Sequence, residues 1–301
     1  MRAFVTGSTG LLGTNLVRAL VARGHTVRAL VRSPRKAAEM LGGLPGVEVV
    51  EGDMEDVAGF AESLSGCDVV FHTAAYFREY FAPGDHWPKL HAINVKASVA
   101  LAEAAHQREV GRFVDVSSSA TVGFKADGTP GDEDPPPAPV VAENLYMRSK
   151  QESAQALMAF SARTGMPVIS ILPGWMFGPW DAAPTGAGQL VLDILAGRLP
   201  ALLEQVSGVR SPRWTFPRWV ALGVAYVAET WARVTGGSTL LTVAGVRTMQ
   251  AKLRVDSSKA ARELGATFRP LEDTLRDTVA WYRERQVQAP EARQPRPVTA
   301  A

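Results

Sequence analysis

Ala3-Phe4-Val5-Thr6-Gly7-Ser8-Thr9-Gly10-Leu11-Leu12-Gly13 decides the reading of this chain. Three apolar residues form a short strand, glycines recur at 7, 10 and 13, and Asn15 to Arg23 continues as a helix carrying Leu16, Leu20 and Val21. Gly24 stops it. Glycines at this spacing let the chain turn tightly, let a pyrophosphate approach the backbone, and let the helix pack close to the sheet. The helix amides then face the phosphates. A glycine-rich loop alone is weak evidence, but one set between a strand and a helix is much stronger.

Outward from this loop, strands are expected at Thr26–Val31, Val47–Val50, Asp68–Phe71, Arg112–Val116 and Pro167–Leu172, with helices between them. Such alternation predicts an α/β fold: a doubly wound parallel sheet of the Rossmann type with right-handed crossovers. The second strand runs into Arg32-Ser33-Pro34-Arg35-Lys36, where an NAD-binding unit would carry an acidic residue. Arg32 and Ser33 suit a 2′-phosphate instead, through a charge-assisted bond and a hydroxyl, which favours NADP over NAD. Asp53 either accepts from an adenine amino group or caps the helix expected at Val57–Leu64. Small residues after His72 (Thr73, Ala74, Ala75) would let backbone lie against a cofactor. His72 itself reads as structural, and no metal site is expected. Asn94, in a helix from about Pro88 to Ala105, is given a supporting role.

Ser117-Ser118-Ser119 stands at the end of the fifth strand, where open parallel sheets bind ligands. Tyr146 and Lys150 lie four residues apart, one turn along one helix face. There the ammonium is expected to lower the phenol's pKa, so that Tyr146 exchanges a proton near neutral pH. Phe124 to Val140 reads as a loop, and Pro173 to Pro179 as a rigid turn.

The 301 residues, 46% hydrophobic and 21% charged, are ordinary for a soluble protein, and a net charge of +2 argues for neither nucleic acid nor membrane as partner. Cys67, the single cysteine, excludes an internal disulfide and a cysteine-rich zinc site. With strand-like sequence starting at Ala3, nothing removable is expected before the fold, and a cytoplasmic location is the default. The longest apolar run, Trp219 to Ala228, falls short of the roughly 20 residues of a membrane span and reads as a core helix.

These pieces together resemble the extended short-chain dehydrogenase/reductase family, the NAD-dependent epimerase/dehydratase group. The TGxxGxxG loop, Gly52-Asp53, Ala74-Ala75, Asn94, the Ser-Ser-Ser-Ala-Thr-Val-Gly run, YxxSK and the Pro-Gly…Gly-Pro turn fall in family order. The similarity returns at Arg254 to Gly265. Arg32 and Leu172-Pro173-Gly174-Trp175 look more like dihydroflavonol reductases and 3β-hydroxysteroid dehydrogenases than sugar epimerases. The resemblance implies Tyr146 as acid/base and Lys150 as ribose ligand and tuner of Tyr146. It implies Ser119 as the catalytic hydroxyl, with Ser118 the alternative. Gly7, Thr9, Gly10, Leu11, Leu12, Gly13, Arg32, Ser33, Asp53, Met54, Thr73, Ala74, Ala75, Pro173 and Met176 would complete the cofactor site, and Trp175 would line the substrate pocket.

The implied activity is NADP(H)-dependent interconversion of a ketone or aldehyde with an alcohol. Tyr76, Phe77, Tyr80, Phe81, Trp175 and Trp180 suggest an apolar substrate, or ordinary loop packing. A nucleotide-sugar epimerase or dehydratase and a non-catalytic NADP-sensing protein are the rival readings, and a homodimer is the family's common state. Residues 1–180 are expected to form the dinucleotide domain, 181–285 a small, mostly helical substrate lobe whose last helix, Leu271 to Arg285, carries Leu275, Val279 and Tyr282 at helical spacing and returns to the core, and 286–301 a disordered tail. After Pro200 the sequence shows no strand–helix–strand unit of the kind usual in the family, unless Trp214–Val220 is that strand, so an abridged lobe is expected.

Overall fold

The computed structural model describes residues 1–77, 85–123, 129–133, 144–196, 217–235, 243, 246–247 and 254–288. Among these, six strands form one sheet: β1 Arg2–Thr6, β2 Thr26–Val31, β3 Val47–Glu51, β4 Val69–His72, β5 Phe113–Val116 and β6 Val168–Ile171. Their order is β3-β2-β1-β4-β5-β6 and every pairing is parallel, which makes the fold the doubly wound Rossmann sheet expected. The helices are α1 Leu11–Ala22, α2 Pro34–Leu41, α3 Val57–Phe60, α4 Trp87–Leu90, α5 Ala97–Gln107, α6 Leu145–Thr164, α7 Gly186–Leu195, α8 Arg218–Thr235, α9 Ser258–Leu264 and α10 Leu271–Gln288. A π turn at His91–Lys96 joins α4 to α5.

Helices on both faces exclude water from β1, so Ala3, Phe4 and Val5 are fully buried. Burying side chains of this kind stabilises by about 1.5–3 kcal/mol for each large one. Phe4 stacks on Phe60 and joins Val70, Phe113, Leu101, Leu157 and Phe160 in the main core. The strands align in register across the sheet. Phe4, Val70, Phe113 and Val168 are successive Cα partners, and all belong to or pack against that core. Two residues further along the same face, the next row is Thr6, His72, Asp115 and Ser170. The face therefore turns from apolar to polar as it reaches the carboxyl edge.

The described residues of Met1–Met176 and Trp214–Thr267 form one compact unit, and those of Phe177–Arg213 and Phe268–Ala301 a second. In the second unit α10 buries Leu275, Val279 and Tyr282, the stripe anticipated from their spacing, against Val191 and Ile194 of α7. The buried Asp181 carboxylate accepts from Thr185 N and Oγ1 and from Tyr282 Oη, tying the two stretches of this unit together.

Two expectations change. The 219–228 run lies within α8, which buries Ala225 and Ala232 and leaves Trp219 (75%), Tyr226, Val227 and Trp231 exposed, so it is no core helix. Its alanines and its bulky apolar side chains occupy opposite faces, and only the alanine face is covered. Residues 217–220 open α8 and do not continue a strand. The remaining positions of the expected abridgement (197–216 and 236–242), the 124–128 and 134–140 parts of the proline-rich loop, and the 289–301 tail lie outside the described residues. No described helix is long and apolar enough to cross a membrane.

Candidate active site

The strand order reverses between β1 and β4, and the chain leaves both at the carboxyl edge. Gly7, immediately after β1, has φ +66°, and a Cβ there would stand 2.7 Å from Thr73 Oγ1 and 2.8 Å from Ala74 N, just after β4. A Cβ at Gly13 would collide with the Gly7 carbonyl. Both positions admit glycine only, so the loop presses onto β4 and α1 onto the loop. Thr73 Oγ1 donates to Thr6 O, and Ser8 Oγ donates to Val5 O and Leu30 O, which pins the turn from below. Gly10 is the Ncap of α1 and has no side chain to satisfy the first amides. That helix therefore starts at Leu11, earlier than the apolar pattern from Asn15 implies. A backbone cradle with open helix amides fits a dinucleotide pyrophosphate.

Around the crevice, Arg32 is exposed just past β2 and makes no ion pair among the described residues. Ser33 is the Ncap of α2, its hydroxyl accepting from Lys36 N. Asp53 Oδ1 accepts from Glu55 N, and the helix cap proves to be Asp56, which accepts from Gly59 N. The capping alternative for Asp53 thus falls, because Asp56 sits directly at the helix start. Met54 packs its side chain into the main core, so only its backbone is available to a ligand. Ala74 is half-buried and Ala75 exposed.

Asn144 caps α6 by accepting from Met147 N, which places Tyr146 in the first turn and Lys150 in the second. Lys150 is buried and its ammonium donates to Val116 O, the last carbonyl of β5, at 2.7 Å. The Tyr146 ring is half-buried and packs on Phe77, with centroids 4.6 Å apart. Ser119 opens a 3₁₀ turn that packs against α6, donates its N–H to Pro173 O, and sets its hydroxyl 3.6 Å from the Cβ position of Gly174. The serine of the 3₁₀ turn and the tyrosine and lysine of α6, two elements in contact, therefore meet at the carboxyl edge of β5. Thr121 donates from N and Oγ1 to the Ser118 carbonyl.

Asn94, in the π turn, accepts from Tyr76 N and donates to Tyr76 O and Ser149 Oγ. It holds the 76–77 loop to α6, the kind of bond expected of it. Met176 is half-buried and Trp175 is 60% exposed. Trp180 packs on Trp281 in the second unit, while Tyr80 and Phe81 lie outside the described residues.

Electrostatics depart from expectation at Tyr146. Burial, and then the negative charge of Asp115, push its phenol well above the usual value, where the Tyr–Lys spacing had predicted a lowering. Burial lowers Lys150 and the Asp115 charge opposes that fall. Burial raises Asp115 and Lys150 opposes that rise. His72 takes one partner on each nitrogen, Thr6 Oγ1 and Ser98 Oγ, both at 2.8 Å. Burial and the Lys150 charge hold it neutral, with a pKa of about 3. Asp115 escaped the sequence reading. The signal was present as an apolar residue followed two places later by a polar one in four strands, but it shows only once the strands are in register.

A Rossmann crevice with a glycine cradle, and a Tyr–Lys helix beside a serine at one sheet edge, is an arrangement that fits a nicotinamide dinucleotide. Residues 3–213 match the model of the NAD dependent epimerase/dehydratase family, and the chain belongs to that family. It is 28% identical to a putative dihydroflavonol 4-reductase of Synechocystis over 93% of this chain and 94% of that one. It is 31% identical to a 3 beta-hydroxysteroid dehydrogenase/Delta 5-->4-isomerase of Mycobacterium tuberculosis, over 68% of this chain and 55% of that protein. The crystal structure of gox2253 superposes with a TM-score of 0.77 at 27% identity, covering 94% of this chain and 98% of that one. The family resemblance read from the motifs is thus borne out, and the protein is an enzyme of a family that uses nicotinamide cofactors.

The buried His72 has a consequence for acid stability. The unfolded chain takes up a proton below pH 6.5 that the folded imidazole refuses until about pH 3, so stability present above 6.5 is lost as pH falls through that window. Unfolding free energy from denaturant titration is expected to fall by about 2 kcal/mol between pH 7.5 and 5 through this group alone. His72→Gln should remove that increment, and equal pH slopes in both proteins would contradict it.

Proposed function

We propose that the protein is an NADP(H)-dependent oxidoreductase that interconverts a ketone or aldehyde and an alcohol on an apolar small molecule, in the manner of its dihydroflavonol-reductase-like relatives. The observation that carries this reading is the convergence of Ser119, Tyr146 and the buried Lys150 at the carboxyl edge of β5. Gly7, Thr9, Gly10, Leu11, Leu12 and Gly13 would hold the pyrophosphate, and Thr73, Ala74 and Ala75 would back it. Asp53, with the backbone of Met54, would meet the adenine. Arg32 and Ser33 would take the 2′-phosphate. Pro173 and Met176 would face the nicotinamide, which supplies or accepts the hydride when bound.

Lys150 would bind the nicotinamide ribose from its place on Val116 O. Ser119 Oγ would hydrogen-bond the substrate oxygen as it gains charge, and Tyr146 Oη would deliver the proton to it. Both contributions are strongest near the transition state, where that oxygen approaches an alkoxide. A phenol held above its ordinary pKa stays protonated at neutral pH, the form the reductive direction needs. Phe77 on the Tyr146 ring and the exposed Trp175 agree with an apolar substrate.

Across aromatic, steroid-like and aliphatic carbonyls assayed by NADPH oxidation, Tyr146→Phe should lower kcat/KM by about 10²–10⁴-fold with an unchanged melting temperature. Undiminished turnover would sink the assignment. Arg32→Ala is expected to weaken NADPH binding by about 10-fold or more while leaving NADH binding within about twofold. Equal loss for both cofactors would contradict the NADP preference.

A further inference from the structure

Asp115 lies in the middle of β5, its Cα paired with His72 on one side and Ser170 on the other. It is 1% exposed, and neither carboxylate oxygen has a hydrogen-bond partner among the described residues. The Ser170 hydroxyl beside it is likewise without one. A buried carboxylate left this way is costly and persists only where something offsets the cost. The Cα partners of Asp115 are His72 of β4, whose two nitrogens are taken by Thr6 and Ser98, and Ser170 of β6. Charge interaction links it to Tyr146 and Lys150 of α6, and of these four groups Lys150 is the only cation. Its ammonium has three donors, one of them spent on Val116 O, the carbonyl of the residue next to Asp115.

We propose that Asp115 is a positioning residue for the Tyr146–Lys150 pair, its carboxylate being the buried counter-charge that keeps Lys150 an ammonium seated against the end of β5. The two charges make no direct ion pair, so the coupling runs through space in a dry region, where a unit charge is felt strongly. An ammonium bonded only to a neutral carbonyl would tend to release its proton on burial, and the anion beneath the same strand end opposes that release. Burial already disfavours the Tyr146 phenolate, and the same anion adds to that, so the phenol stays protonated. One carboxylate thus holds both protons of the pair. Its catalytic consequence rests on the roles proposed above for Tyr146 and Lys150, whereas the electrostatic coupling does not.

The test uses the full chain without cofactor, labelled with ¹³Cε-lysine, the Lys150 resonance being identified by its loss in Lys150→Arg. Asp115→Asn keeps the shape, exchanges one acceptor oxygen for an amide donor, and removes the charge. The Lys150 titration midpoint is expected to fall by about one unit or more, a tenfold loss of proton affinity. An unchanged midpoint overturns the proposal. By reciprocity, Lys150→Met must raise the Asp115 carboxyl midpoint by a similar amount, read from ¹³Cγ-aspartate. That arm decides the matter if Asp115→Asn does not fold, and a stationary Asp115 resonance overturns the proposal equally. In turnover, the alkaline limb of kcat should move to lower pH in Asp115→Asn, since Lys150 and Tyr146 both lose their protons more readily, and a limb that stays in place counts against it. Neither titration needs substrate, so a protein inert towards carbonyls would refute the reductase reading and leave the coupling measurable.

Discussion

Two missing methyl groups organise this molecule. At Gly7 and Gly13 there is no room for a Cβ, because the Thr73-Ala74 backbone fills one position and the Gly7 carbonyl the other. The turn after β1 can therefore lie directly on the exit of β4, where the strand order reverses, and α1 can begin against the turn with its amides open. Everything chemical sits around that contact. Threonines 6 and 73 lock it through Thr73 Oγ1 to Thr6 O and Ala74 N to Thr6 Oγ1.

A second constraint follows from the sheet's period of two. On one face the row Phe4, Val70, Phe113, Val168 is core, and the row two residues on is Thr6, His72, Asp115, Ser170. A parallel sheet buried on both faces ordinarily carries apolar side chains throughout, so the polar row is a cost accepted close to the site. His72 meets the cost by staying neutral with both nitrogens bonded. Asp115 meets it through the charge on Lys150. The row ends one residue short of Val116, whose carbonyl holds Lys150 of α6, and so joins the packing of the sheet to the chemistry at its edge.

Much of this was legible in the sequence. Each strand lies within a residue or two of its expected place, and the buried ones, β1 and β4 above all, read as apolar runs. The glycine loop, the Asn144-led helix and the terminal stripe of Leu275, Val279 and Tyr282 also fell where residue type and spacing put them. What failed depended on burial and on which side chain turns inward, which the local pattern does not show. The phenol of Tyr146 is raised rather than lowered, first by burial and then by the charge of Asp115 on β5. The helix after β3 is capped by Asp56, and a run with Asp53, Glu55 and Asp56 does not reveal which carboxylate turns inward. The bulky apolar side chains of α8 face outward, since it packs through its alanines.

The most direct test of the account is calorimetric titration of NADPH into the purified protein and into Gly13→Val, with circular dichroism to confirm that the variant is folded. The account predicts saturable binding to the wild type and, for the folded variant, affinity weaker by about 100-fold or more, because the branched side chain must displace the Gly7 carbonyl from the cradle. Equal affinity in the two proteins, or no binding to the wild type at millimolar cofactor, would contradict it.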